Sequence, residues 1–220
     1  FMGASDDLTA SELVAKYLDL KMKSVPVTRK DVVQAIPKIV RAVGSFEEGM
    51  IVGGLGSNFV AKAARDDGCK VLLTGMGADE IPGGYQRYNL IPISALKDKL
   101  IMDQLKLSSK QCSQLDHGSM AASIEARVPY IDNEIIDTAR RLPLDKKVDI
   151  SHEWRTKIYL REVATKYPPK KIYAREKMAM GRGSGMQSLF KDAINDFDKS
   201  NVSAAEVRSF RLKDDVEVSL

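Results

Sequence analysis

The sequence predicts an α/β protein, with a parallel sheet in its first half and a mostly helical second half. Three observations support this. Residues 70–74 form a Val-Leu-Leu strand that opens into the sharp Gly75-Met76-Gly77 turn. Helical apolar spacing precedes that strand, and strands alternating with helices argue for parallel pairing. From Pro92 onward the spacing is almost wholly helical.

The chain opens Phe1-Met2-Gly3-Ala4-Ser5, an apolar pair running into a turn over residues 3–7. That opening reads as the tail of a strand whose beginning lies upstream. Residues 8–20 follow as an amphipathic helix with Leu13, Val14, Tyr17 and Leu18 on one face. Residues 24–27 are extended. Thr28 then starts a second helix, with Asp31 in its first turn and Gly44 at its end. Pro37 lies inside that pattern and predicts a kink, or a break at Ile36. A third helix is expected over residues 56–67, stopped by Gly68. Beyond Pro92, helices are expected over 96–107, 116–127, 133–142 and 154–166, and Pro168-Pro169 then punctuates the chain. The last thirty residues read as a helix plus a tail. No internal repeat or low-complexity segment is evident.

Composition narrows the function. Of 220 residues, 44% are hydrophobic and 29% charged, the balance of an ordinary globular protein. No apolar run approaches the ~20 residues that span a bilayer, and no signal-peptide pattern opens the chain. Cys69 and Cys112 lie far apart and read as reduced thiols of a cytoplasmic protein. His117 and His152 lack the neighbours of a zinc site. The net charge of +4 is too small to make nucleic acid the default partner. Its basic residues nevertheless gather at Lys170, Lys171, Arg175, Lys177 and Arg182, where they could hold the phosphates of a nucleotide.

Three segments carry chemistry. In the first, Leu72 to Tyr85, a strand delivers a glycine turn to the carboxyl edge of the sheet, where open α/β sheets bind ligands. Gly75 and Gly77 let a ligand lie against bare backbone, and Asp79 offers a hard oxygen to Mg²⁺. The same acid could equally be a helix cap. In the second, Gly183, Ser184 and Gly185 can present successive N–H groups to an anion beside Lys177. A solvated surface loop is the alternative. In the third, Asp116 to Asp132, Glu125 and Arg127 are charges in a rather apolar stretch. They read either as a structural ion-pair network or as catalysis.

Together these segments resemble one family. Leu-Thr-Gly-Met-Gly-Ala-Asp-Glu-Ile-Pro-Gly-Gly-Tyr is similar to the Ser-Gly-Glu-Gly-Ala-Asp-Glu-Leu-Phe-Gly-Gly-Tyr signature of asparagine synthetases. Ser-Ile-Glu-Ala-Arg-Val-Pro-Tyr-Ile-Asp is similar to their Glu-Ala-Arg-Val-Pro-Phe-Leu-Asp segment. Lys157 to Arg161 resembles their Lys-x-x-Leu-Arg helix, and Arg175-Glu176-Lys177 their later Arg-x-Lys. The Lys…Gly-Ser-Gly arrangement looks closer to the β-lactam synthetase-like members.

The resemblance covers about residues 1–190, split into an α/β part (1–93) and a helical part (94–190), with 191–220 as an extension. It implies an adenine nucleotide α-hydrolase-like (PP-loop) fold and an ATP- and Mg²⁺-dependent ligase that makes an acyl-adenylate from a carboxylate. Gly75, Gly77 and Arg175 would contact the nucleotide, and Gly183, Ser184 and Gly185 the pyrophosphate. Asp79 would ligand Mg²⁺. Lys177 and Glu125 are the candidate catalytic residues.

The chain departs from the family in three ways. The family's first strand and its Ser-Gly-Gly-x-Asp-Ser loop are expected to be missing from the 220 residues. Met76 replaces a glutamate that asparagine synthetases use at the aspartyl centre. No glutaminase domain is legible, so ammonia, another amine or a separate glutaminase chain would supply nitrogen. A non-catalytic nucleotide-binding subunit and a tRNA-modifying relative are the alternative readings. Oligomeric state is open.

Overall fold

The computed structural model describes residues 5–149, 151, 156–167 and 170–197. The expected strand tail at Phe1-Met2, the Pro168-Pro169 punctuation and the tail beyond residue 197 lie outside the described residues.

Helix α1 (Asp6–Tyr17) starts two residues earlier than its apolar pattern suggests. The Ser5 hydroxyl caps it by accepting from the Leu8 N–H, and Asp6 and Asp7 supply the acidic first turn. Helix α2 (Arg29–Val43) is set by a capping box in which Thr28 and Asp31 satisfy each other's backbone N–H groups. Those hydrogen bonds hold the Asp31 carboxyl below its ordinary range. Pro37 does not break the helix, which runs on to a left-handed Gly44. Val32, Ile36, Ile39 and Val43 form its buried stripe.

Helix α3 (Glu48–Asp66) is longer than residues 56–67, because its glycine-rich first half also winds into helix. The reason is packing. A Cβ on Gly54 would sit 2.8 Å from Val43, and one on Gly118 would sit 2.5 Å from the Gly54 carbonyl oxygen. Bare backbone therefore lets α3 lie directly against α2 and α5 (Ser113–Met120). The buried Asn58 amide seals the second contact by donating to the Gly118 carbonyl at 2.9 Å. Val27, Met50, Ile51, Leu55 and residues of α10 (Met186–Phe197) complete this core. Helix α10 runs straight through the boundary expected at residue 190, with Leu189, Phe190 and Ala193 buried in that core.

Among the described residues the sheet has two strands, β1 (Val71–Leu73) and β2 (Glu125–Arg127), paired in parallel with Leu72 opposite Ala126. This corrects the helix expected over 116–127. Helix α5 ends at Met120, Ser123 adopts φ 60°, and the chain turns into a strand. Pairing with β1 overrides the local helical preference of Ile-Glu-Ala-Arg. The sheet thus joins the two parts of the chain across residue 93. Between the strands run α4 (Ile93–Lys106) and a π-helical turn at Ser108–Cys112. Helices α6 (Asn133–Arg141) and α7 (Ile158–Ala164) follow, then the short α8 (Lys170–Tyr173) and α9 (Met180–Gly183). No described helix is long and apolar enough to cross a membrane.

A second core sits under α4. Asp103 there accepts from Arg87 and the Tyr88 hydroxyl, both at 2.8 Å, and from Lys99 at 2.9 Å. Burial pushes this carboxyl up, but the three hydrogen bonds outweigh it and hold the group below the usual carboxylate range. A carboxylate with a lowered folded pKa stabilises the fold above its unfolded pKa and loses that contribution as pH falls through the folded value. Asp103→Asn is therefore expected to cost about 1–2 kcal/mol near neutrality, limited by the exposure of Arg87 and Lys99. Urea midpoints of variant and parent should converge as pH drops below about 4. A gap that persists there would deny the carboxylate this role.

Candidate active site

The carboxyl end of β1 opens into a cleft of about 1060 Å³ between α3, the residues 74–85 turn and the segment before α10. That volume is in the range of small-molecule sites. Thr74, Gly75, Met76, Gly77 and Asp79 line it on one side, and Lys177, Gly181 and Arg182 on the other. Strand alternation puts Leu72 and Ala126 on the cleft face of the sheet.

Asp79 is the centre of charge. Its Oδ2 meets Lys177 Nζ at 3.0 Å, and its Oδ1 pairs with Lys157 Nζ at 2.6 Å. The Lys177 ammonium also donates to the Met178 carbonyl at 2.7 Å. Lys157 precedes α7 with φ 54°, a left-handed conformation costly for a side-chain-bearing residue. It is held there by its N–H, which donates to the Gly83 carbonyl. Gly84 packs so closely under the pair that a Cβ would lie 2.8 Å from Asp79 Cα and closer still to Lys157. Sequence reasoning singled out Asp79 and Lys177 and missed Lys157 and Gly84. The Lys157 signal was the Lys-x-x-Leu-Arg resemblance, read only as a helix.

Arg161 of that same helix is buried, and it positions the loop that carries Lys177. Its guanidinium donates to the carbonyls of Thr156 (2.9 Å), Arg175 (2.7 Å) and Tyr173. Burial lowers its pKa, and the Asp79 charge opposes that effect. A lysine has no planar fork to serve three carbonyls at once. Arg161→Lys is expected to cost about 2–3 kcal/mol through unpaired buried groups. Thermal unfolding measures this, and a midpoint equal to the parent's would mean the three contacts contribute nothing.

Other expected site residues fare differently. Arg175 pairs with Asp7 of α1 at 2.7 Å, so it ties the N-terminal helix to this loop rather than lining the cleft. The glycine-serine turn is corrected. The N–H groups of Gly183, Ser184 and Gly185 already donate to the carbonyls of Ala179, Met180 and Arg182. They close a helical turn and are not presented as an anion nest. A Cβ on Gly183 would meet the Asp7 carboxylate at 2.6 Å, so α1 covers this turn. Cleft cations near it are instead Arg182 and Lys191. Glu125 is also displaced from its expected role. It is exposed on β2 and accepts from Arg127 Nε at 2.8 Å, an ion pair on the face opposite Ala126. That pair lowers the Glu125 carboxyl.

Asp79 offers one carboxylate to the cleft, and among the described residues no cluster of three His, Cys, Asp or Glu could hold a metal by itself. Both Asp79 oxygens already meet lysine ammonium groups, so a bound cation would have to displace one of them. The family model for asparagine synthase matches residues 1–101 and 93–218. The chain belongs to the asparagine synthase family. It is similar to a putative glutamine-hydrolyzing asparagine synthetase of Methanocaldococcus jannaschii, with 29% identity covering 84% of this chain and 40% of that protein. It is also similar to asparagine synthetase B of Escherichia coli (25%, over 95% and 37%) and asparagine synthetase 1 of Arabidopsis thaliana (27%, over 90% and 35%). The chain therefore spans about two fifths of the length of these asparagine synthetases.

Proposed function

We propose that this chain is the ATP-using part of an amide- or C–N-bond-forming ligase, which activates a carboxylate as an acyl-adenylate and releases pyrophosphate. The carrying observation is the Lys177–Asp79–Lys157 array at the carboxyl end of β1, which presents Asp79 and Lys177 to a cleft large enough for a nucleotide. The substrate carboxylate would attack the α-phosphate, forming the acyl–phosphate bond as the bond to pyrophosphate breaks. Lys177 would stabilise negative charge on the transferring phosphate. Asp79 would hold Mg²⁺, whose contribution is to neutralise phosphate charge. Gly75 has open space around its bare Cα and leaves room for the nucleotide, whereas the bare side of Gly77 lies against Ile131. A nitrogen nucleophile, as ammonia, another amine or from a separate glutaminase chain, would then displace AMP.

The phosphate-binding loop enters this reading as altered rather than missing. Gly3-Ala4-Ser5-Asp6-Asp7 stands in register with the Gly-Gly-x-Asp-Ser of the family loop. Asp6 and Asp7 begin α1, and Asp7 reaches Arg175 beside the loop of Lys177. Asp7 then replaces a hydroxyl by a carboxylate. Together with Met76 and the occupied Gly183–Gly185 amides, this favours the second reading, a nucleotide-binding subunit without catalysis.

ATP–pyrophosphate exchange separates the two. With the protein expressed from its native start, Mg-ATP and a panel of carboxylates led by aspartate, the ligase gives carboxylate-dependent exchange. Nucleotide binding with no exchange across the panel selects the non-catalytic subunit.

A further inference from the structure

Helix α3 has a second face, turned away from the cleft, that carries basic groups the ligase reading does not use. Val52 and Val60 line the cleft, whereas Lys62 and Arg65 line a smaller cavity against α2 and Ala122. Asp31, Ala35 and Lys38 form its α2 wall, spaced four and three residues apart on one helical face. Asn58 and Phe59 lie between the two walls. The cavity holds about 230 Å³, below the range of drug-sized ligand sites but ample for a single oxyanion.

Positive charge prevails there. Lys38, Lys62 and Arg65 share the cavity with one carboxylate, Asp31, which is already committed to the capping box of α2. Its Oδ2 accepts from the Thr28 N–H at 2.8 Å and from the Thr28 hydroxyl at 2.6 Å. Lys62 acts on that carboxylate only through its field, and has no ion pair or hydrogen bond of its own among the described residues. Lys38 and Arg65 are held by backbone carbonyls. Lys38 Nζ donates to the Ala121 carbonyl at 2.6 Å, and Arg65 Nη1 to the Ala122 carbonyl at 3.4 Å. A carbonyl orients a cation without neutralising it. Arg65 does have an acid beside it, Asp66 at 3.3 Å, but Asp66 does not line the cavity. Cations gathered on one cavity repel one another unless an anion stands between them.

We infer that this groove is an anion site for a phosphate group, either free or carried as a monoester on a larger molecule. The two Arg65 contacts are long, and its planar fork can exchange them for two phosphate oxygens. Lys38 and Lys62 close on the remaining oxygens as point charges. A bound phosphate ties α2 to α3 and to the turn that carries Ala121 and Ala122 into β2. The site stands apart from the ligase reading, since Lys38, Lys62 and Arg65 do not line the cleft.

Lysine acetylation read by mass spectrometry tests this residue by residue, on the protein expressed from its native start. A limiting dose of acetic anhydride labels it in sodium phosphate, or in sodium chloride of equal ionic strength so that screening is matched. Phosphate is expected to slow labelling of Lys38 and Lys62 saturably, by about tenfold once it exceeds its dissociation constant about tenfold. Lys97, exposed on α4, should label equally in both salts. Arg65→Gln should abolish the protection, and because Arg65 is exposed the variant keeps its fold. Lys177 reports the cleft in the same digest. Protection of Lys177 alone, or equal labelling of Lys38 and Lys62 in the two salts, overturns the groove site. Protection that survives Arg65→Gln overturns it as well. Glycerol 2-phosphate separates the two sources. Protection as strong as that by inorganic phosphate assigns the site to a phosphate carried on a larger molecule. Protection by inorganic phosphate alone assigns it to the free anion.

Discussion

Lys177→Met is expected to lower carboxylate-dependent ATP–pyrophosphate exchange by about 10²–10³-fold, the usual cost of losing one preorganised electrostatic contact to a developing charge. Two lysines meet Asp79, and the geometry distinguishes them. Lys177 lines the cleft and is half-buried on the segment leading to α9, whereas Lys157 is not among the lining residues. Lys157 approaches the other carboxylate oxygen from the α7 side. Lys177 can therefore leave Asp79 and follow a phosphate into the cleft, while Lys157 keeps the carboxylate in place. Methionine preserves most of the length and removes only the charge. Nucleotide affinity should fall much less than exchange, because the contact strengthens as charge shifts in the transition state. Equal losses in binding and exchange would instead make Lys177 a simple phosphate anchor.

The features legible in the sequence were those encoded locally. A buried strand followed by Gly-x-Gly and an acid announces its own turn, so Gly75, Gly77 and Asp79 were found at the cleft, and the start of α2 was found from Thr28 and Asp31. The features that stayed hidden depend on distant partners. Ile-Glu-Ala-Arg carries helical spacing, and only the neighbouring β1 edge makes it a strand. Once it is a strand, alternation sends Glu125 to the outer face and Ala126 to the cleft, so one change of element moved a candidate catalytic acid out of the site. The Gly-Ser-Gly turn suggested free amides because glycines permit a nest, but whether the amides are free is decided by the carbonyls preceding them. Lys157 lies 78 positions from Asp79, and no spacing rule connects the two.

Gly84→Ala is expected to reduce exchange by about 100-fold, the scale on which a misplacement near 1 Å acts on a positioned catalytic group. The Gly83-Gly84-Tyr85 sequence turns back under Asp79, and the Gly84 N–H donates to the Asp79 carbonyl at 2.5 Å. The new methyl group would press on Lys157, a flexible side chain that could yield. It would also stand 2.8 Å from Asp79 Cα, which is backbone and can only move by shifting the turn. The strain should cost about 1–3 kcal/mol of stability as overpacking. Activity should fall further than that loss explains at a temperature where the variant remains folded. Lys157→Ala in the same background relieves the side-chain clash and leaves the backbone one. If the double variant recovers exchange, crowding of Lys157 was the cause. If it does not, while Lys157→Ala alone keeps exchange, displacement of the Asp79 backbone was, and the second glycine of the motif is required because the Asp79 carboxylate rests on it.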